Sequence, residues 1–223
     1  MIETNQAFIS GKLVLGFPTV TTTRRMKYYI ADMLVRRLSG VEDFIPIKVP
    51  GGLIVKYTDY RGQYVSITGQ YQTRNYFDGQ KNRLEQYIYV EKMELWDSDR
   101  GMDDNYIFLN GTICKNPIYR NTPLGRSITN LLIAVNTSKG MSYYIPCICW
   151  GSMAEYAGSL SVGERIEITG RMQSREYNKR INDFTFEKRI AYEVSVLKLG
   201  FDKIKIVPSM SCSISCAISS LMR

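Results

Sequence analysis

Residues 143–177 decide the fold, and they read YYIPCICW, GSMAEYAGSLSVG and ERIEITGRMQSREY in succession. Side chains of alternating character with period two predict a β-strand in the first block and another in the third, and the middle block predicts a short helix. The residues predicted to point inward are Ile145, Cys147, Cys149, Ile166, Ile168, Gly170 and Met172. Those predicted to point outward are Tyr144, Ile148, Trp150, Thr169, Arg171, Gln173, Arg175 and Tyr177.

The outward set combines large aromatic rings with guanidinium groups, although an exposed strand face needs only polar side chains. Such a surface is typical of proteins on which unpaired bases stack while phosphates lie between the rings. The alternative is structural, because exposed aromatic residues also cap sheets, pack under loops or form subunit contacts. Charge and aromaticity recur together here, which favours the binding interpretation.

Composition indicates a globular protein with a polyanionic partner. A chain of 223 residues with 44% hydrophobic content can bury a core and fits one large or two small domains. The net charge is +8, and Lys and Arg outnumber Asp and Glu in both halves of the chain. A basic excess that is spread through folded sequence favours a binding groove over a charged tail. The alternative is a generally basic soluble protein.

The sequence predicts neither a metal site nor a cofactor. Histidine, the commonest metal ligand and general base, is absent. The cysteines form no CxxC pair and no zinc spacing; they are Cys114, Cys147, Cys149, Cys212 and Cys216. An odd number of cysteines without a signal peptide is typical of the reducing cytoplasm, and no apolar run is long enough to span a bilayer.

The chain contains an internal repeat, which resets the expected number of domains. At an offset of 100, Phe8 aligns with Phe108, Gly11 with Gly111, Val35 with Val135, Gly40 with Gly140, and Ile45-Pro46 with Ile145-Pro146. After a shift of one residue, Ile67-Thr68-Gly69 aligns with Ile168-Thr169-Gly170, and Gln72, Arg74 and Tyr76 align with Gln173, Arg175 and Tyr177. The chain is therefore interpreted as a tandem duplication.

Each copy is expected to form five strands. They are predicted near residues 7–15, 27–37, 44–49, 64–74 and 84–95, and again near 106–115, 127–137, 143–150, 165–175 and 190–199. A helix is predicted near 152–160, and one or two helical turns between Gly52 and Tyr60. Five strands with a helix between the third and fourth are typical of the oligonucleotide-binding (OB) fold, so an all-β protein of two tandem OB barrels is expected. An SH3-like barrel is the nearest alternative, but the helix position argues against it.

Four segments follow from the repeat. They are a first copy (residues 1–97), an acidic linker (98–104), a second copy (105–200) and a C-terminal tail (201–223). The linker is too short to separate the copies widely, so they should present neighbouring faces. The tail is expected either to form an amphipathic helix through Met210, Ile214, Ala217 and Leu221 or to fray.

Two basic loops are predicted in each copy, at positions where an OB fold grips a strand. The candidate residues of the second copy are Arg120 and Arg126 in the loop 116–126, and Lys179, Arg180, Phe184 and Phe186 after Tyr177. Those of the first copy are Arg24 and Arg25 before its second strand, and Tyr76 and Phe77 in its last hairpin. The alternative for each is an ordinary solvated loop, because charged residues are common in loops.

The second copy resembles the bacterial single-stranded DNA-binding protein family. Residues 116–125 read NPIYRNTPLG and match the family pattern N-P-x-x-R-x-T-x-x-G, and Ala134-Val135-Asn136 matches the A-V-N at the end of the second strand. Further matches run in the family's order through Trp150, Ala154-Glu155, Gly163, Gly170-Arg171, Arg175 and Tyr177 to Glu193-Val194. Several spaced motifs make the resemblance specific. It covers roughly residues 105–199, and it extends to 5–95 only through the internal repeat.

The resemblance implies roles for particular residues. By this resemblance, the residues at base-stacking positions are Tyr144, Trp150 and Tyr177. Those at phosphate-contacting positions are Arg120, Arg126, Arg171 and Arg175. In the first copy the corresponding candidates are Phe44, Lys48, Arg74 and Tyr76. That copy lacks the N-P-x-x-R loop and has Pro50 where Trp150 stands, so it is expected to bind more weakly or to serve in assembly.

The function implied is sequence-tolerant binding and protection of single-stranded DNA in replication, recombination or repair, by a nucleoid-associated cytoplasmic protein. Family members usually act through four OB folds, so two folds in one chain suggest a homodimer. The acidic C-terminal tip that recruits partners in the family is missing, which leaves a protein-interaction module of primosome type as an alternative. An enzyme is not expected, because no paired carboxylates, activated nucleophile or phosphate loop occurs. RNA stays an alternative ligand, since stacking does not read the 2′-hydroxyl.

Overall fold

The computed structural model describes residues 4–23, 26–79, 81–99, 101–137, 140–180, 182 and 185–201. The first copy contributes six strands and a 3₁₀ turn at Gly51–Leu53: β1 (Asn5–Leu13), β2 (Thr19–Thr23), β3 (Met26–Arg36), β4 (Glu42–Pro50), β5 (Gln63–Phe77) and β6 (Asn82–Trp96). The second copy contributes six strands and a helix: β7 (Asn105–Ile113), β8 (Ile118–Asn121), β9 (Ser127–Asn136), β10 (Ser142–Trp150), α1 (Ser152–Gly158), β11 (Arg165–Arg180) and β12 (Phe186–Phe201).

The two copies form barrels of the same topology. In the first, β1 pairs with β5, β5 with β6, β6 with β4, β4 with β3, and β3 returns to β1. In the second, β7, β11, β12, β10 and β9 close in the same way. The third and fifth strands of each barrel run parallel, as the β4–β6 and β10–β12 pairings show. This strand order is that of the expected five-stranded OB fold.

Repeated glycines lie at equivalent positions of the β5–β6 and β11–β12 pairs. A β-carbon on Gly170 would stand 2.5 Å from the backbone oxygen of Ser195, and one on Gly69 would collide with the backbone oxygen of Tyr89. Both glycines follow a register shift in their strand pairs, where a bulge bends the strand. The repeated Ile-Thr-Gly sequence therefore marks a position at which only glycine lets two backbones approach.

A further strand pair joins the barrels into one sheet. Strands β1 and β7 run antiparallel, with Ala7 opposite Ile107 and Phe8 opposite Tyr106. Because Ala7 and Ile107 are equivalent in the repeat, the pairing lies on the pseudo-twofold axis between the copies. Side chains continue this symmetry: Asn5 bonds both backbone groups of Tyr71, and Asn105 bonds both of Met172.

The linker is held against the first barrel. Arg36 donates to Asp99 at 2.6 Å and to Asp103 at 3.0 Å, and Asp104 accepts a hydrogen bond from the Ser10 hydroxyl at 3.1 Å. The linker is thus bound to the first barrel, and the expectation that the copies present neighbouring faces stays a prediction. These contacts and the β1–β7 pairing act together to fix one barrel against the other.

Several elements differ from the sequence-based predictions. The loops between the first two strands of each barrel contain the additional short strands β2 and β8. The region after Tyr177 was predicted as a loop, but β11 runs to Arg180 and β12 begins at Phe186, so it is a long hairpin. Helix α1 is confirmed, whereas the segment between Gly52 and Tyr60 contains only the end of a 3₁₀ turn. The predicted tail helix lies outside the described residues.

The core of the second barrel agrees with the inward set. All seven predicted residues, from Ile145 to Met172, are buried. Ile148 and Gln173 of the outward set lie on the predicted face, but both are buried, so the expectation that they are exposed was wrong. Ile148 lies on β10 between β9 and β12, opposite Asn130 and Ser195.

Candidate nucleic-acid interface

Strand register gathers the predicted site residues of the second barrel on one wall. Residues directly opposite each other on neighbouring strands point to the same face. Ile148 on β10 is opposite Ser195 on β12, and Ser195 is opposite Arg171 on β11. By alternation along each strand, the face of Tyr144 and Trp150 is therefore also the face of Arg171, Arg175 and Tyr177. The sequence-based grouping of aromatic and cationic residues is reproduced in space.

Arg120 joins this wall through a strand that the sequence did not predict. Trp150 is opposite Ile128 on β9, and Ile128 is opposite Arg120 on β8. The guanidinium-bearing residue thus lies two strands from the indole on the same face. Arg126 is exposed on the adjoining turn and lines a cleft of about 440 Å³ together with Trp150 and Glu155.

The three candidate stacking residues are accessible. Relative exposures are 44% for Tyr144, 40% for Trp150 and 37% for Tyr177. The Arg175 guanidinium carbon lies 5.9 Å from the centre of the Tyr177 ring, within the range of a cation–π contact. Lys179, Arg180 and Phe186 lie further along the same hairpin and are exposed.

Gln173 and Arg171 each have polar atoms that are buried on this wall. Gln173 donates to Glu193 at 3.0 Å, and Arg175 approaches the same carboxylate at 3.6 Å. The hydrogen bond with Glu193 satisfies the Gln173 amide inside the protein, and this allows Gln173 to be buried instead of exposed. Among the described residues, the Nε of Arg171 is buried and has no hydrogen-bond partner. An unsatisfied cationic donor at the base of the wall is suited to an anionic ligand.

The corresponding wall of the first barrel is built differently. The Lys48 ammonium lies 4.9 Å from the centre of the Tyr28 ring and 5.0 Å from that of Tyr87. Burial lowers the pKa of Lys48 and raises the pKa of Tyr87 to about 12. Neither Tyr28 nor Tyr87 was predicted from the sequence. Alternation along β6, with Ile88 pointing inward, places Tyr87 on the other face and could have identified it.

The first hairpin repeats the arrangement of the second. Arg74 lies with its guanidinium carbon 5.9 Å from the Tyr76 ring centre and forms an ion pair of 2.9 Å with Glu85. Phe77 at the end of β5 is exposed, and Phe44 is partly exposed beside the second barrel, where its backbone N–H donates to the Ser174 hydroxyl. Arg24, Arg25 and Phe184 lie outside the described residues.

The described part of the chain contains neither a group of metal-ligating side chains nor a helix that could span a membrane. Within it no group of three or more Cys, Asp or Glu side chains could hold a metal ion. Its one α-helix has seven residues and is too short and polar to cross a bilayer.

Comparisons with known proteins connect the second barrel to a family. The Single-strand binding protein family matches residues 104–202. A single-stranded DNA-binding protein of Clostridium tetani is 32% identical over 104 residues, which cover 43% of this chain and 72% of that protein. One from Thermus thermophilus is 24% identical over 148 residues, covering 58% of this chain and 56% of that protein. The chain thus spans little more than half the length of the Thermus relative.

Solved structures support the architecture of the whole chain. The wild-type single-stranded DNA binding protein from Thermus aquaticus superposes with a TM-score of 0.67 at 23% identity, covering 89% of this chain and 92% of that one. A deletion mutant of the same protein gives a TM-score of 0.69 at 22% identity and covers 92% and 97%. The all-β class with two OB folds is confirmed.

The fold defines the class of the protein: an all-β protein of two joined OB barrels, one of which has aromatic and cationic side chains on the same wall. Within that class, the chain belongs to the Single-strand binding protein family. The relatives are named for binding and not for catalysis, and the expectation that the chain is not an enzyme is confirmed on that ground.

Proposed function

We propose that the chain binds single-stranded DNA with little sequence preference. The observation that supports this best is the strand register that gathers Tyr144, Trp150 and Tyr177 on one wall with Arg171 and Arg175. Every base has a flat face, so accessible rings bind bases of any sequence. Guanidinium groups beside the rings neutralise the phosphates between consecutive nucleotides.

The energetics favour tight, salt-sensitive binding. Stacking of one base on an aromatic residue contributes about 1–3 kcal/mol, so three stacked bases contribute about 3–9 kcal/mol. Micromolar affinity corresponds to about 8 kcal/mol, so phosphate contacts must supply part of the free energy of tight binding. Each phosphate neutralised on a single strand changes the slope of log K against log salt by about −0.7. Arg120, Arg126 and Arg175 are the exposed cations of the second barrel that we propose for this role.

The proposed cellular role is to coat and protect single strands during replication, recombination or repair, in the cytoplasm at the nucleoid. The names of the relatives support the ligand, while the pathway rests on the chemistry of exposed single strands. We further propose that residues 1–97 and 105–200 are the two domains, joined by the linker 98–104 and followed by the tail 201–223.

We propose that the functional particle is a homodimer with four barrels. Phe8 and Tyr106 are opposite each other on the outer face of the β1–β7 ladder, and both are partly exposed. Paired exposed rings at the centre of a sheet are suited to a self-complementary interface. Light scattering is expected to give twice the chain mass of 25.6 kDa, and Tyr106→Asp is expected to give the monomer mass.

Tryptophan emission tests the binding proposal directly. Titration with oligo-dT at low salt should quench the wild-type emission, and Trp150→Ala should lose most of that quenching and bind at least about fivefold more weakly. Trp96→Phe removes the other indole and serves as the matched control, which should still be quenched. Oligo-dT that neither quenches the wild type nor binds it in an anisotropy assay would falsify the proposal. Competition with oligo-U distinguishes DNA from RNA.

A second candidate function is a protein-interaction module of primosome type that touches DNA weakly. The observation that favours it is Pro50 in place of Trp150 in the first barrel. Under this alternative, oligonucleotide affinity would be no better than micromolar, and a purified replication protein would bind equally well after nuclease treatment.

A further inference from the structure

The first barrel contains a cleft of about 880 Å³ at the position where the second barrel has helix α1. Its smaller counterpart in the second barrel is the cleft of about 440 Å³ beside Trp150. At the repeat offset of 100, Met26, Pro50 and Gly51 of the large cleft correspond to Arg126, Trp150 and Gly151 of the small one. The two clefts are therefore equivalent positions of the duplication, with different linings.

The large cleft is open because its chain does not fold into a helix. After the 3₁₀ turn at Gly51–Leu53, residues 54–61 form an irregular segment, and within it Tyr60 packs into the core of the barrel. A cluster of rings forms its floor: the centre of the Phe17 ring lies 5.1 Å from that of Tyr60 and 5.9 Å from that of Tyr29, both edge-on. The Tyr60 hydroxyl accepts a hydrogen bond from the Val55 N–H at 2.9 Å, which fixes the segment to the floor.

Tyr57 stands at the mouth of this cleft in a strained conformation. Its φ of 64° makes it the one residue other than glycine with a positive φ in the described part of the chain, and its side chain is fully exposed. Glycine would adopt this backbone without strain, and an exposed ring gains nothing from burial. Strained residues of this kind cluster at ligand sites, where the side chain is needed for contact.

The charge at the cleft is complementary to a phosphate. Lys27, Lys56 and Arg61 line it and are exposed. The carboxylate among the lining residues, Asp59, is already paired with Arg61 at 2.7 Å. Two lysines thus remain for an anion beside a floor of aromatic rings, a combination that suits the base and phosphate of one nucleotide. The volume lies within the usual range for small-ligand sites.

We infer that this cleft receives one unpaired nucleotide of the single strand bound by the second barrel. The base lies against Tyr57 at the mouth and the aromatic floor, and the phosphate contacts Lys27 or Lys56. The inference rests on the proposed function. It also changes the expectation for the first copy: Pro50 stands where the second copy has Trp150, and Tyr57 in residues 54–61 supplies the base stacking that Pro50 cannot provide.

Removal of the Tyr57 side chain tests the inference in the full chain. Tyr57→Gly removes the ring and relieves the strained backbone, so its melting temperature should equal or exceed that of the wild type. Its affinity for a long fluorescein-labelled oligo-dT should fall at least about fivefold. Leu38→Gly removes an equally exposed apolar side chain from a turn of the first copy and is the matched control, with wild-type affinity expected.

A tryptophan introduced at position 57 distinguishes binding at the first-barrel cleft from binding at Trp150. In a background that carries both Trp96→Phe and Trp150→Phe, Tyr57→Trp introduces the single tryptophan of the chain, and its emission should be quenched by oligo-dT. If the wild type binds and Trp150→Ala weakens binding, but Tyr57→Gly binds normally and the new tryptophan is not quenched, the cleft inference is overturned while the proposed function stands. If the wild type does not bind at all, both fail. A fall in molar mass for Tyr57→Gly would show that a second copy occupies the cleft, which also overturns the inference.

Discussion

Asp43 of the first barrel accepts two hydrogen bonds from Ser174 of the second, one from its backbone N–H at 2.7 Å and one from its hydroxyl at 3.1 Å. Asp43 is fully buried, and Arg37 neutralises it through two contacts of 2.6 Å. The equivalent position in the second copy is Tyr143, so the carboxylate has no counterpart there, whereas the bond from the Phe44 N–H to the Ser174 hydroxyl is repeated by the Tyr144 N–H and the Thr73 hydroxyl. The contact between Asp43 and Ser174 fixes β4 against β11 and supports the walls of both barrels.

Loss of the Asp43 carboxylate should destabilise the chain strongly. Asp43→Ala leaves the half-buried Arg37 guanidinium and the Ser174 N–H without their acceptor, and breaking a buried pair costs about 3–5 kcal/mol. Urea unfolding followed by circular dichroism measures the change. Asp97→Ala, at an exposed carboxylate, is the control and should change the free energy of unfolding by less than about 0.5 kcal/mol. Similar midpoints for the two variants would contradict the structural role of Asp43.

The linker should contribute to stability in a manner that depends on pH. Hydrogen bonds from Arg36, first among several donors, hold the pKa of Asp99 well below its usual range. A depressed folded-state pKa means that the contribution is complete above the unfolded pKa of about 4 and is lost as the pH falls towards the folded value. The difference in urea midpoint between wild type and Asp99→Asn should be constant from pH 7 to 5 and mostly gone at pH 2. Asp97→Asn should show no difference at any pH.

The bulge glycine of β11 should tolerate no side chain. A β-carbon at Gly170 would meet the backbone oxygen of Ser195 at 2.5 Å and a methyl group of Val194 at 2.8 Å. Gly170→Ala is therefore expected to lower the free energy of unfolding by about 1–3 kcal/mol, as overpacking does. Gly200→Ala adds the same atom where no neighbour lies within 4 Å and is the matched control. Equal stabilities would show that the strands can separate at the bulge without cost.

The thiols should differ in reactivity. Burial raises the pKa of Cys149 to about 12 and that of Cys147 well above its usual value, so neither forms the reactive thiolate at pH 8. Cys114 is half-exposed and its pKa is raised less by burial. Iodoacetamide followed by peptide mass spectrometry should therefore label Cys114 before the two core thiols in the native protein. In denaturant all three should react alike, and rapid native labelling of Cys147 would contradict its place in the core.

Local patterns in the sequence were sufficient to predict the barrels. Alternation identified the inward faces of β10 and β11, and the repeated Ile-Thr-Gly identified equivalent positions in the two copies. The bulge at each of these positions became apparent only from the strand pairing. Strand β8 was missed because Asn, Pro and Arg residues surround it and it has only four residues. Its pairing partner, and not its own propensity, makes it a strand.

Other parts of the site depend on contacts between distant segments. Asp43 and Ser174 are 131 residues apart, and nothing in either local sequence indicates that they meet. The burial of Gln173 likewise follows from Glu193 on the neighbouring strand. Tyr57 was overlooked because a helical turn was expected around it, whereas the chain places it in the left-handed region. Alternation assigns a side chain to a face, but exposure on that face is set by what packs over it.

Strands β1 and β7 pair with Ala7 opposite Ile107, and because both belong to one chain, the two halves can acquire substitutions independently. Two separate identical chains would meet in the same way, but they would come apart on dilution and every substitution would appear twice. Covalent fusion keeps the halves together at any concentration and lets each vary alone. One half can then keep an indole where the other has a proline and an open groove.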